Sequence, residues 1–377
     1  MIVASESIKK TRKKVIIWTK DIDKFILGES FFGGGITVQM YFWAKIFVAN
    51  GWEVFSFSKT NKTVNEDIKF IKSPDRKYAS IIFDLFLSLY FILKFKPDVI
   101  FTRGASRKIG YLSIYAKITK TKLVFLGASD INFIKGKENI SGLKHNTKLY
   151  QSGLKKINYF IVQNQLQQKT LQENYNKNGI IIPNIWGVDK KNRFSNQSSL
   201  PSSDLLWVTN FRKLKRPQWF INLAKQIPEK KFIMVGAPID QKLYHTAQQE
   251  AEKVNNIQFT GGLSFEQTNL LFRQCRLFVC TSEFEGFPNT FLQAWSNDVP
   301  VVATVDPSDV IKKNKLGLVV NTEEELLLAV NKLLLDSSFY RAIQNKIQQY
   351  FEKNYDSQTQ FEKALTYIDC NYEKEKN

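Results

Sequence analysis

The reading turns on "TSEFEGFPNTFLQAWSNDVPVVAT", Thr281 to Thr304, where acids, a glycine, an aromatic and a proline lead into a short apolar run and then a second, strand-like one. The β-branched run "RLFVCTS" just ahead of it predicts a strand, so Glu283 and Glu285 fall on the loop at that strand's carboxyl end. "TFLQAWSND" predicts the next helix, and in open α/β sheets this edge is where ligands bind. Glu285 can accept hydrogen bonds from hydroxyls, and Gly286 allows a ligand to approach closely. The loop Gly286, Phe287, Pro288, Asn289 and Thr290 is the candidate binding stretch. Pro288 lacks an N–H and stiffens the turn, while the N–H groups of Asn289, Thr290 and Phe291 open a helix towards any phosphate there.

Outward from this stretch the same alternation continues. "KKVIIW", "WEVFSF", "PDVIFTR", "KLVFLG", "YFIVQN" and "GIIIPN" precede it in the front half; "DLLWVTN", "KFIMVG", "IQFTGG", "PVVAT" and "LGLVV" surround it in the back half. Strands separated by amphipathic stretches predict βαβ units and parallel sheets, so the fold class is α/β with two doubly wound, Rossmann-like domains. At 377 residues the chain exceeds one ordinary core. The expected division is a first domain over 1–185, a linker over 186–204, a second domain over 205–355, and a terminal helix and tail over 356–377 that pack back across the seam.

Two further loops carry chemistry. Gly33, Gly34 and Gly35 stand between a first strand and a helix, where backbone N–H groups could meet a phosphate; the same glycines also suit a plain tight turn, and the spacing of a dinucleotide fingerprint is absent. "TNFRKLKRPQWF" puts Arg212, Lys213, Lys215 and Arg216 ahead of a helix opened by Pro217. Cations at a helix N-terminus oppose its dipole, so an anionic ligand would offset them; a solvated basic turn is the alternative.

With these residues in view, "EGFPNTFLQAW" followed by "DVPVVAT" resembles the acid-x7-acid signature of family-4 retaining glycosyltransferases, which have the GT-B fold. The glycine loop, "KPDVIFTR", "IVQN…IIPN", the "R-x-x-K-R-P" loop and "FTGGLSFEQTNLLFRQCRLFVCTS" extend the likeness over nearly the whole chain. The resemblance implies a UDP- or GDP-linked sugar donor held by the second domain, an acceptor held by the first, and no cofactor or metal. It places Glu285 on the donor sugar's hydroxyls, Arg212 and Lys215 on the diphosphate, Gly34 and Gly35 closing on it, and Gln293 on the ribose diol. Gln293 stands where the family has its second acid; a diol needs only an acceptor, which an amide oxygen supplies. Arg212 and Lys215 lie three positions apart where many members have five, which leaves Lys213 or Arg216 as alternatives for the second role. Where many members have a histidine, this chain has "FLGASDIN", with Asp130 or Ser129 in its place. "DID", Asp21 to Asp23, resembles the metal-binding D-x-D of another glycosyltransferase fold, but it follows a first strand rather than standing late in a sheet.

Composition narrows the classes. Cys275, Cys280 and Cys370 have neither metal-ligand nor disulfide spacing, which predicts a reducing, cytosolic setting, and two histidines, His145 and His245, offer little for a zinc site or triad. No cleavable leader is expected from the N-terminal residues, and "IIFDLFLSLYFILKF", Ile81 to Phe95, is too short to span a bilayer. That segment suits either a core helix on the first sheet or an interfacial one.

The chain carries +19, and residues 1–185 account for +17 of it, with 30 Lys and Arg against 13 Asp and Glu. Such a surface suits phosphate-bearing partners, so the expectation is a glycan or lipid-linked acceptor at an anionic membrane surface, with the protein peripheral on the inner face. A nucleic-acid partner is not expected, because no recognition module appears. A non-catalytic nucleotide-sugar sensor and, more weakly, a sugar epimerase remain as rivals.

Overall fold

The computed structural model describes residues 12–19, 21–28, 34–58, 67–72, 81–136, 147–187 and 203–376, with the side chains of 81, 82 and 371–376 left aside. Gly33 and most of the expected linker, 188–202, lie outside the described residues.

The first sheet contains β1 (Lys14–Ile17), β2 (Glu53–Ser58), β3 (Ile68–Lys72), β4 (Val99–Arg103), β5 (Lys122–Leu126), β6 (Tyr159–Val162) and β7 (Ile180–Ile181), in the order β3-β2-β1-β4-β5-β6-β7. The second contains β8 (Ser203–Val208), β9 (Phe232–Val235), β10 (Ile257–Gly261), β11 (Cys275–Cys280), β12 (Val301–Ala303) and β13 (Gly317–Val319), in the order β10-β9-β8-β11-β12-β13. Every pairing is parallel. Both sheets reverse winding direction between their first and fourth strands, at β1/β4 and at β8/β11. Successive crossovers lie on opposite faces there, and the split leaves a crevice at the carboxyl ends.

β3 is the strand that the sequence pattern missed. Its burial runs buried, exposed, half-buried, buried, exposed, so on this edge strand the apolar run is too broken to stand out. The expected linker also needs correction at both ends. Trp186 is buried in the core, and Ser203 and Asp204 already belong to β8.

Helix Gly35–Ala49 is apolar nearly all round because both its faces are covered. Trp43 packs on Phe101 of β4, and Phe47 stacks edge-on against Phe361 of the terminal helix Ser357–Lys376. That terminal helix crosses back to the first domain: Tyr367 accepts from the Phe160 N–H, and Lys122 pairs with Asp369 at 2.7 Å. Below the cleft, Phe265 of the second domain packs on Phe25, Phe42 and Trp186, so apolar contact joins the domains.

Helix Ile81–Phe95 packs one face on the first sheet, as a core helix would, and exposes the other. Phe91 and Ile92 are buried on the first sheet, while Phe86 (69%), Tyr90 (52%) and Leu93 (54%) are exposed. Among the described residues no helix is long and apolar enough to cross a membrane. The D-x-D resemblance at Asp21 to Asp23 dissolves, since Asp23 is buried in a short helix and accepts from Ser58 at 2.6 Å.

Candidate active site

In the second sheet's crevice the loops after β8 and β11 meet. The first folds as a 3-10 turn, Lys213–Lys215, before helix Pro217–Gln226. The turn is tied to its neighbour by backbone and side chain together: Glu283 N–H donates to Leu214 O, and Thr281 Oγ1 to Lys215 O at 2.6 Å. Arg216 takes a left-handed conformation at φ 45°, costly for a side chain of its size. Its guanidinium offsets that cost by donating to the carbonyls of Thr281 and Ser282 while stacking on Trp219. Arg216 therefore braces the loop, its guanidinium engaged by these carbonyls.

Lys215 Nζ and Glu285 Oε1 form a direct ion pair, mostly shielded from water. Ser282 Oγ donates to the same carboxylate oxygen at 2.9 Å, and Oε2 takes no bond among the described residues. Arg212 and Lys213 are exposed, and the Arg212 guanidinium has no partner among the described residues. The two charges expected on sugar and diphosphate thus stand side by side, each neutralising the other, with Arg212 uncommitted at the rim.

Helix Asn289–Ser296 begins where expected, with Pro288 as its N-cap. One correction applies: Phe291 N–H already donates to Pro288 O, so Asn289 and Thr290 supply the N–H groups still available to a ligand. Gln293 is buried one turn in, and its side-chain amide makes no hydrogen bond among the described residues. Phe287 is buried against Trp295 and Tyr355 and fixes the loop rather than facing solvent.

The first domain closes on this loop through amides. Asn289 Nδ2 donates to Gly35 O at 2.9 Å, and its Oδ1 accepts from Gln39 at 3.0 Å and from Asn184 at 2.7 Å. The N-terminus of helix Gly35–Ala49 is thereby held against that of helix Asn289–Ser296, and two positive dipole ends converge. A Cβ on Gly35 would stand 2.9 Å from Asn289 Nδ2, so closeness requires this glycine; Gly34 has open space around it.

Gly286 is explained differently from the expectation. A Cβ there would meet Gln163 Oε1 at 2.8 Å, Ser129 Cα at 3.1 Å and Ala128 O at 3.2 Å, so the close approach that it permits is of the first domain itself. Ser129 backs on the donor loop, whereas the Asp130 carboxylate turns to Asn164 (2.9 Å) and Gln167 (3.1 Å). Burial raises the Asp130 pKa above the usual carboxylate range, and those two hydrogen bonds partly counter it.

Asn184 is the residue that sequence reading missed. Buried at the seam, it donates to Phe287 O and Asn289 Oδ1 and accepts from Arg103 and Gln163, each at 2.7 Å, which satisfies the whole amide. Its segment, "IIPN", is visible in the sequence only as part of a resemblance. No group of three or more His, Cys, Asp or Glu able to hold a metal occurs among the described residues.

Comparison with known proteins agrees with the two-domain fold. Residues 188–350 match the family model of glycosyl transferases group 1. An uncharacterized glycosyltransferase of Methanocaldococcus jannaschii is 26% identical over 240 residues, and the match spans 57% of this chain and 57% of that protein. Among solved structures, sucrose-phosphate synthase from Thermosynechococcus elongatus superposes with a TM-score of 0.73 at 14% identity, over 96% of this chain and 99% of the other. WaaG, a glycosyltransferase involved in lipopolysaccharide biosynthesis, gives 0.67 at 15% identity, over 94% and 99%. At such identities the likeness is one of fold.

Proposed function

Because residues 188–350 match the family model of glycosyl transferases group 1 and the two domains have the GT-B arrangement, we propose that this protein is a retaining glycosyltransferase. It moves a sugar from a UDP- or GDP-linked donor to a hydroxyl of a glycan or lipid-linked acceptor. The observation that carries this reading is the Lys215–Glu285 pair at the loop that leads into helix Asn289–Ser296, whose N-terminus meets that of helix Gly35–Ala49 at the domain seam.

In this reading the donor diphosphate sits between the N-termini at Gly35 and Asn289, and Arg212 swings from the rim to join Lys215 on it. As the bond from anomeric carbon to phosphate oxygen breaks, negative charge grows on the diphosphate, where fixed dipoles and cations stabilise it without reorganisation. Glu285 accepts from the donor sugar's hydroxyls through its open Oε2 and orients the ring. Gln293 offers its amide oxygen to the ribose diol. Ser129 and Asp130 stand on the acceptor side of the donor loop.

The test is a thermal-shift panel of nucleotide sugars, followed by product analysis with the acceptors at hand. A ligand at a hundred times its dissociation constant stabilises by about 2.7 kcal/mol, a readable shift. Stabilisation by one base with neither hydrolysis nor transfer would favour the non-catalytic sensor; no stabilisation by any member would refute the reading.

The enzyme works at an anionic membrane, docked through the face on which Phe86, Tyr90 and Leu93 neighbour Ile114 (42% exposed) and Ile118 (71%) of helix Lys108–Thr119. Tyr115 bonds the two helices through Leu85 O, and the exposed cations Lys94, Lys96, Lys117 and Lys120 rim the face. Apolar side chains at the centre and lysines at the edge match the acyl boundary and phosphate layer of a bilayer. Phe86→Ser with Leu93→Ser should abolish sedimentation with phosphatidylglycerol vesicles, and high salt should weaken it in the wild type. Equal binding to neutral and anionic vesicles would refute electrostatic docking.

A further inference from the structure

The switch-point crevice of the first sheet, between β1 and β4, is the counterpart of the crevice that holds the Lys215–Glu285 pair. β1 leads to Gly34 and Gly35; β4 ends in Arg103. Its backbone lies close to the site, since a Cβ on the next residue, Gly104, would stand 3.1 Å from Ile36 Cδ1 and 3.4 Å from the Ala128 Cβ.

Arg103 is unlike the other site cations. Its Nη2 donates to Asn184 Oδ1 at 2.7 Å, a neutral acceptor already shared with Gln163. Its Nε is buried without a partner, its Nη1 has none among the described residues, and no carboxylate pairs with it there. A guanidinium has five donors and normally meets an anion when removed from water. Arg103 is half-buried, and burial lowers its pKa to about 9, because these surroundings solvate the charge less well than water does. A purely structural residue holding Asn184 needs one donor; an amide would serve without the cost of a desolvated charge.

We propose that Arg103 is an anion-recognition residue on the acceptor wall of the cleft, binding a phosphoryl group of one of the two substrates. It rests on the reading of the cleft as a site of glycosyl transfer. The phosphoryl group belongs either to the nucleoside diphosphate of the donor, reached across the seam, or to a phosphate-bearing acceptor. The guanidinium offers the planar fork that suits phosphate oxygens, and its bond to Asn184 fixes the fork beside the donor loop.

Calorimetry on the full-length wild type, Arg103→Gln and Arg103→Lys separates the sources. UDP and GDP are titrated first; glycerol 1-phosphate is then titrated into protein saturated with whichever nucleotide binds. Arg103→Gln, which keeps a donor for Asn184 but loses the charge, should weaken one of these probes at least tenfold, and Arg103→Lys should weaken the same probe less. Loss on the nucleotide assigns the donor; loss on glycerol 1-phosphate alone assigns the acceptor. Unchanged affinity in both arms overturns the proposal while leaving the glycosyltransferase reading intact. If the wild type binds neither nucleotide, that reading fails instead, and glycerol 1-phosphate on the empty protein still tests Arg103. Should Arg103→Gln not fold, side-chain 15N NMR decides: an Arg103 resonance, assigned by its absence in Arg103→Lys, that does not move with either probe overturns the proposal.

Discussion

The two crevices of this molecule occupy equivalent places in sheets of the same winding, yet they manage charge in opposite ways. In the second domain a lysine and a glutamate cancel each other. In the first, the Arg103 guanidinium bonds only the Asn184 amide among the described residues, and the buried polar contacts run on through Gln163 and Gln167. A charge with an internal counter-ion must exchange partners to bind a ligand, whereas one bonded only to a neutral acceptor need not. The comparison also separates the roles of two glycines. Gly35 yields to a flexible amide tip, whereas Gly286 yields both to the Gln163 amide and to the backbone of Ser129 and Ala128.

Breaking the paired side should have the largest effect. Glu285→Ala is expected to reduce transfer by about a hundredfold or more, because a group orienting the reacting sugar is lost. Affinity for the nucleoside diphosphate should hold or rise, since Lys215 loses its internal competitor. Arg212→Ala should do the reverse in binding, weakening it by about tenfold, in line with about 1.5 to 3 kcal/mol for a charge-assisted hydrogen bond. Steady-state rates beside calorimetry read both, and near-normal turnover in folded Glu285→Ala would end the assignment.

The glycine contrast gives the next effect. Gly286→Ala drives a methyl group into Ala128 O and Ser129 Cα of the other domain and should cost transfer about tenfold or more by holding the domains apart. Gly35→Ala meets only the Asn289 amide, which can turn, so a smaller loss is expected. Equal losses would show that closure does not depend on the Gly286 contact.

Gln293→Glu sharpens the donor side. A carboxylate would bond the ribose more strongly but lies in the field of the diphosphate, so the two effects oppose each other within about 1 kcal/mol. A change in donor affinity beyond tenfold would place Gln293 away from the ribose.

The smallest effect concerns Asp130, whose folded-state pKa is raised by burial. Below its unfolded pKa both states are protonated and nothing is lost. As pH rises from there through the folded value, the native state holds its proton longer than the unfolded chain, so stability falls and stays lower above it. Asp130→Asn keeps an acceptor for Asn164 and Gln167 without the charge. It should raise Tm at pH 7.5 by about 1 to 3 °C and leave it unchanged at pH 3. A drop at pH 7.5 would mean that the carboxylate is stabilising where it stands.

The sequence by itself determined the architecture, because alternating β-branched runs and amphipathic stretches encode βαβ units locally and twelve of the thirteen strands carry that signal. It also marked Glu285, Lys215 and Arg212, which lie in short loops beside readable strands and helix starts. Tertiary structure alone decided the rest. Gln39 reaches Asn289 across 250 positions and Asn184 across 105, and no local pattern specifies contacts so distant. Arg216 is told from Lys215 only by the carbonyls that it braces, and the first domain's approach to Gly286 is invisible from its own loop. Arg103 ends a strand like many arginines. What sets it apart, a single neutral acceptor and a buried Nε without a partner among the described residues, is a property of three-dimensional surroundings and not of any stretch of chain.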